Sequence, residues 1–502
     1  MQDEAVRSAA RRRNILYAVV LLAYVLLNAF LVVRHENWRD EAQAWLLARD
    51  LSIPELIAQM SYEGHPCLWH LLLMPLAKLG LPYVSMNVLS LTIMAVTAAL
   101  LLWKAPLPLP IKILALFGCA FSYYYPVISR SYCLVPLFAA LMAIFYRDRR
   151  EKPLRYGLSV ALMVQTHIAM LGMAAAASLV WLGEAVHGYR RDRDRRRLLA
   201  QGAGLTLPLL SFLFLLAQLS NARASTGYTV NLGDLLYFPQ AALGLYMTAA
   251  SFLGPLRYVA LAAAALVVAF FFVRMLRKRA FGVLKAFIVA AAAVLYHLGL
   301  YAVLHKGHVM QLITMFFVLL WFFWVAWPKA RDAWLRRVMA LAMALLFAAS
   351  YAAYPNVVRD IRHPFSGAED CAAFIKDNLP AQTIFLEVNE PRTSAILPYL
   401  SEDYTFYSPY SGQPVTYVTW DRDYFEHLRL NDYESICAWA LEVDPTCESI
   451  CLIALEADAA LEMEMLAQLE PYLTDEALLY RSAEADSIGE CFALYSIPIV
   501  QP

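Results

Sequence analysis

Apolar residues fall in long runs over the first two thirds of the chain and give way to short mixed segments over the last third. A helix needs roughly twenty apolar residues to cross a hydrocarbon core about 30 Å thick. Runs of that kind lie near 15–33, 84–103, 111–126, 131–146, 154–167, 169–187, 198–219, 256–273, 281–304, 309–327 and 337–354. They predict a mainly α, polytopic membrane protein of about eleven transmembrane helices. The apolar stretch 67–80 would reach only about 21 Å as a helix, so it reads as an interfacial helix within an outer loop spanning 34–83.

Charge orients these spans. Arg7, Arg11, Arg12 and Arg13 precede the first run, which therefore reads as a retained signal anchor with Asp40 outside the cytoplasm. The basic clusters at 147–155, 190–197, 274–279 and 329–337 lie in short loops and belong on the cytoplasmic face. An odd number of spans must then separate Asp40 from Arg147, and this parity is what removes 67–80 from the count. The odd total leaves the C-terminal segment of this multi-pass protein on the same outer face as Asp40.

From about residue 356 the pattern changes. Residues 368–378 and 461–469 read as helices, and 383–388 and 450–455 as short buried strands, so a membrane domain (1–355) is followed by a soluble extracytoplasmic α/β domain (356–502). Composition agrees, since 61% hydrophobic and 16% charged residues exclude an ordinary soluble protein. The formal net charge of zero is a cancellation: the tail holds about 26 acidic against about 7 basic residues, and the membrane part is correspondingly basic. No nucleic-acid partner is expected. Five of the eight cysteines (Cys371, Cys437, Cys447, Cys451 and Cys491) lie in this tail, where a pair could oxidise; the odd number leaves one over, and Cys447 with Cys451 lacks the second half of a zinc motif.

The candidate chemistry gathers on the outer face. Asp40 and Glu41 follow the first helix, and Glu63-Gly64-His65-Pro66-Cys67 opens the interfacial stretch. The predicted topology adds Tyr123–Tyr125, Arg130, Tyr132, Gln165–His167, Tyr228, Asn231, His305, Lys306 and His308 to that face. A carboxylate can serve as general base on a hydroxyl, cations can neutralise a phosphate leaving group, and aromatic rings can stack on sugars. A transferase using a lipid phosphate as leaving group needs all three, with membrane lipids around it. A transporter or flippase of a lipid-linked sugar is the alternative, but it should carry polar groups near mid-membrane, where only Gln165, Gln218 and His297 stand out. Two D-x-D matches, at 192–194 and 421–423, lack the context of a nucleotide-sugar site.

The Asp40-Glu41 pair, the Gly64-His65-Pro66-x-Leu68 turn, Ser129-Arg130-Ser131-Tyr132, Thr166-His167 and the soluble tail together resemble GT-C glycosyltransferases. The likeness is to bacterial members of the protein O-mannosyltransferase superfamily, among them lipopolysaccharide galacturonosyltransferases and the aminoarabinose transferase of lipid A. It is sharpest over 35–170. The resemblance implies an inverting enzyme with a polyprenyl-phosphate sugar donor and an extracytoplasmic glycan, lipid or envelope acceptor. Asp40 would be the base, with Glu41 as its neighbour or as partner to a divalent metal ion. His65 would lie beside the donor phosphate or acceptor, and Arg130 would grip phosphate or sugar, joined in substrate binding by Tyr132, His167, His305, Lys306 and His308. Cys67 stands where the family commonly has a second proline.

Overall fold

The computed structural model describes residues 2–220, 254–277, 280–303, 309–330, 332–455, 463–483, 485 and 490–500. A 33-residue helix, α1 (Gln2–Arg34), opens the chain and is followed by three short helices, α2 (Arg39–Asp50), α3 (Ile53–Glu63) and α4 (Leu68–Lys78). The bundle continues with α5 (Ser85–Lys104), α6 (Leu109–Leu116), α7 (Leu134–Phe145), α8 (Pro153–Val164), α9 (Leu171–Asp192) and α10 (Arg195–Leu219). It closes with α11 (Leu256–Arg277), α12 (Phe281–Val303), α13 (Val309–Ala326) and α14 (Ala333–Ala349).

Six helical stretches among the described residues are long and apolar enough to cross a membrane: 4–34, 85–104, 168–192, 195–219, 281–300 and 333–362. Shorter apolar helices occupy 131–145, 153–164 and 313–329. The protein is an integral membrane protein, and the expected figure of about eleven spans exceeds what length and composition establish. The stretch 67–80 forms the 11-residue α4.

One expectation needs correction. Residues 111–126 do not form a continuous α-helix; α6 stops at Leu116, and a π-helical turn covers Ala120–Tyr124. The break falls at Gly118, where a Cβ would lie 2.0 Å from the Ser350 hydroxyl, so the chain passes against the end of α14 with no room for a side chain. The π turn then directs Tyr123 and Tyr124 into the protein, where both are buried. A similar closeness joins α8 to α10: a Cβ on Gly157 would meet the Gly204 carbonyl at 2.1 Å, the small-residue contact that apolar bundles use in place of hydrophobic driving force.

Beyond α15 (Tyr354–Arg362), helix α16 occupies the expected Ala368–Asn378 and leads into a six-stranded sheet. Its strands are β1 (Phe385–Glu387), β2 (Phe406–Tyr407), β3 (Pro414–Val415), β4 (Ser449–Leu455), β5 (Leu478–Arg481) and β6 (Phe492–Pro498), in the order β3-β2-β1-β4-β6-β5. β1 runs parallel to β2 and β4, and the outer pairings are antiparallel. Both faces are covered, which is why β4 reads as an unbroken apolar run. Phe385, Phe406, Ile453 and Leu494 pack on α16 through Cys371 and Ile375. Leu386, Leu452 and Ile497 pack on Ile436, Trp439 and Ala440 of a helix over Tyr433–Val443. The first of these cores also takes in Ala42 and Leu46 of α2. All eight cysteines are buried free thiols.

Candidate functional site

Four residues, His35 to Trp38, turn the chain from α1 into α2, so Asp40 and Glu41 lie in the first turn of a helix, where the dipole favours carboxylates. Their surroundings differ. Glu41 is fully buried: its Oε1 accepts from the Ser129 N–H at 2.5 Å, and its Oε2 from the Trp38 N–H at 3.3 Å, with His35 Nε2 at 3.1 Å. The other ring nitrogen of His35 lies 2.9 Å from Asp360 Oδ2, which also accepts from the Tyr123 hydroxyl at 2.8 Å. Burial by itself would lower the His35 pKa, but Glu41 and Asp360 outweigh it and raise it to about 10. His35 is therefore an imidazolium tying α2 to α15, and Tyr123 brings in the π turn.

Asp40 is partly exposed and forms an ion pair with Arg130, with the Arg39 Nε 3.6 Å away. The Arg130 guanidinium lies 5.9 Å from the Trp38 ring centroid and 5.7 Å from that of Tyr132. Burial works against its charge, and Asp40 more than restores it. Because Glu41 holds the backbone of Ser129, the residue before Arg130, the buried carboxylate fixes the turn that presents the cation to its neighbour.

Next to this pair runs a row of rings. Tyr125 stacks on Tyr132 with centroids 5.6 Å apart; His167 is 4.8 Å from Tyr132, and His65 is 5.3 Å from His167. Amides within the helices hold the row in place. Gln218 accepts from the Cys67 N–H at 2.9 Å and donates to Gln165 at 3.0 Å, and Gln165 donates to the Ser211 carbonyl at 2.8 Å. The structure thus brings Asp40, Glu41, His65, Arg130, Tyr132 and His167 to one end of the bundle. His305, Lys306 and His308 lie outside the described residues, as do Tyr228 and Asn231.

Four further ionisable residues join the site. Glu63 ends α3; burial first, and then Asp40, push its carboxyl up to about 7, against the pull of Gln43, Gln59 and Arg130. Glu490, just before β6, accepts from the Arg39 N–H at 3.3 Å and from the Ser366 hydroxyl at 2.7 Å, and burial raises it to about 7. His35 and Asp360 complete the set. Glu63 and His35 had a local signal, lying beside the motifs already singled out. Asp360 and Glu490 had none, because they reach the site only through the fold.

Both carboxyl oxygens of Glu41 take protein donors, so it does not fit the metal-partner part that the resemblance allowed. Among the described residues, no group of three or more His, Cys, Asp or Glu side chains is arranged to hold a metal ion.

No protein-family model matches the chain, and no curated protein matches it. Among solved structures, the chain is similar to the crystal structure of ArnT from Cupriavidus metallidurans bound to undecaprenyl phosphate, with a TM-score of 0.51 and 12% identity. The likeness covers 96% of this chain and 97% of that one. The chain has a GT-C fold. At that coverage the likeness extends over both the helical bundle and the C-terminal sheet.

Proposed function

We propose that this protein is an inverting glycosyltransferase that moves a sugar from a polyprenyl phosphate to an extracytoplasmic glycan, lipid or envelope acceptor. The observation that carries the reading is the partly exposed Asp40 carboxylate ion-paired with Arg130 beside a row of aromatic and imidazole rings. The likeness to a protein crystallised with undecaprenyl phosphate supports the donor class. In this reading residues 1–355 form the catalytic membrane domain with about eleven spans, and residues 356–502 an extracytoplasmic α/β domain at a bacterial inner membrane.

Arg130 has two partners in turn. The donor phosphate draws the guanidinium away from Asp40, which neutralises the leaving group and releases the carboxylate as a base. The acceptor hydroxyl then passes its proton to Asp40, and its oxygen attacks the anomeric carbon from the face opposite the phosphate. The bond from that carbon to the phosphate oxygen breaks, and the electron pair leaves on the lipid phosphate. Glu41 and His35 touch neither reactant and act as positioning residues for Arg130 and α2. Tyr132, His167 and His65 form the wall against which the sugar packs, and His305, Lys306 and His308 supply further positive charge to the lipid phosphate.

The test is to incubate the purified protein with polyprenyl-phosphate sugars and an envelope acceptor fraction and to measure free polyprenyl phosphate by chromatography. Its release together with sugar incorporation is the expected result. Passage of the intact lipid-linked sugar across vesicles containing the protein, with no bond broken, would instead make it a transporter.

A further inference from the structure

The last turn of a helix is an unfavourable place for a carboxylate, because the dipole there is negative, yet Glu63 occupies that place in α3. Its hydrogen-bond partner is an amide. Gln43 donates through Nε2 to Glu63 Oε1 at 2.7 Å and to the Val418 carbonyl at 2.7 Å, and its Oε1 accepts from the Val418 N–H at 3.0 Å. Gln59, one turn before Glu63, donates to the Thr419 carbonyl at 2.9 Å. Two glutamines of the first loop therefore hold the backbone of 418–419, and one of them passes that contact on to Glu63. The next residue, Trp420, has a φ of 53°, a conformation costly without glycine, so the contacts around this segment dictate its course.

We propose that Glu63 is a positioning carboxyl that gates donor-phosphate binding by its charge, and that Gln43 tunes this charge by tying Glu63 to segment 418–419. The inference rests on the polyprenyl-phosphate reading above. Gln43 lies one turn after Asp40 on the same face of α2, so its bond to Glu63 brings that carboxyl to the Asp40–Arg130 pair, whose charges act on it alongside the Gln43 and Gln59 amides. When protonated, Glu63 leaves the guanidinium to Asp40 and the incoming phosphate. Once ionised, it sets a second negative charge facing the same cation and repels the phosphate. Its carboxyl is raised to about 7, so the gate is open below neutrality and closes above it. The Gln43 amide stabilises the ionised form, so its removal moves the midpoint to higher pH.

Binding of undecaprenyl phosphate to the full-length purified protein in detergent, followed by tryptophan fluorescence across the neutral range, tests this. Affinity in the wild type should fall about tenfold through a midpoint near neutrality. Glu63→Gln should hold the low-pH affinity throughout, and Glu63→Asp should keep a pH-dependent fall. Gln43→Ala should shift the midpoint upward by roughly half a unit or more. The lipid phosphate's own ionisation is common to every variant, so the difference between wild type and Glu63→Gln carries the result. A wild-type slope retained in Glu63→Gln, or a midpoint unmoved in Gln43→Ala, overturns the gate while leaving the donor reading standing. Failure of the wild type to bind the lipid at any pH overturns the donor reading, and the gate falls with it.

Discussion

Arg130 and Arg149 flank the two ends of α7, and the charged networks around them are built on opposite principles. Beyond the C-terminal end, one buried carboxylate, Glu184, is gripped by Arg149, by Lys285 at 2.7 Å and more distantly by Arg150 at 3.9 Å, while Arg149 lies 3.8 Å from the Tyr146 ring centroid. Cations exceed acids there, and both Glu184 oxygens are taken. Before the N-terminal end, Asp40, Glu41, Glu63, Asp360 and Glu490 share Arg39, Arg130 and His35. Acids exceed cations, and burial, with the Asp40 charge adding to it, raises the carboxyls of Glu63 and Glu490. A network whose one acid is gripped on both oxygens by surplus cations can only hold helices together. One short of positive charge can still accept protons and change partners, as phosphate-linked transfer requires.

Removing the central acid of the short network should have the largest effect. Asp40→Asn is expected to lower sugar transfer by about 10²- to 10⁴-fold while undecaprenyl phosphate binds at least as tightly as in wild type, because Arg130 is freed for it; turnover at the wild-type rate would assign the base elsewhere. The cation-rich network responds in stability instead. Glu184→Gln leaves Arg149 and Lys285 facing a neutral amide, at a cost of about 3–5 kcal/mol read from denaturant or thermal unfolding in detergent, with transfer per folded molecule unchanged. An undiminished melting temperature would mean that the cations relax to solvent and that the two ends differ less than their geometry suggests.

Arg130→Ala should cost roughly 2–4 kcal/mol in kcat/KM for the donor, and Arg130→Lys should recover only part, because a point charge replaces a two-nitrogen fork. Equal efficiency of the alanine variant would hand the phosphate to the segment containing His305, Lys306 and His308.

The smallest effect concerns His35. Its folded pKa is raised from 6.5 to about 10, so its stabilising contribution is complete below about 6.5 and is lost as pH rises through about 10. The melting temperature should fall over that window, and His35→Gln should flatten the fall. Glu63 and Glu490, raised from 4.5 to about 7, and Glu36, raised to about 8, add a slope of the same sign at lower pH, so the difference between wild type and His35→Gln, rather than the total slope, reports His35. A slope unchanged in His35→Gln would locate the titration in another group.

Much of this was legible in the residues. Period and length located α1, the short α4 and α16, and the Asp-Glu pair after the first apolar run pointed to the end of the bundle where the candidate residues gather. Three things were hidden. The break at Gly118 depends on Ser350, more than two hundred residues away, so an apolar window could not reveal it. The division of labour between Asp40 and Glu41 is invisible in two adjacent acids, because it arises from the Ser129 backbone and from His35 on one side and Arg130 on the other. Glu63 stands in a motif the sequence singles out, but its tie to Gln43, and through Gln43 to segment 418–419, exists only in the fold.

Ala42 and Leu46 lie near the start of the chain but complete a core whose other members begin at Ala368 and run to Leu494. A ribosome adding about 5–20 residues per second needs roughly twenty seconds to a minute to bridge that interval. During that time α2 waits with its apolar face uncovered and Asp40 without its finished surroundings. Assembly of the site is therefore among the last events in the birth of the molecule, and a chain released early carries every residue of the Asp40–Arg130 pair without the structure that makes it useful.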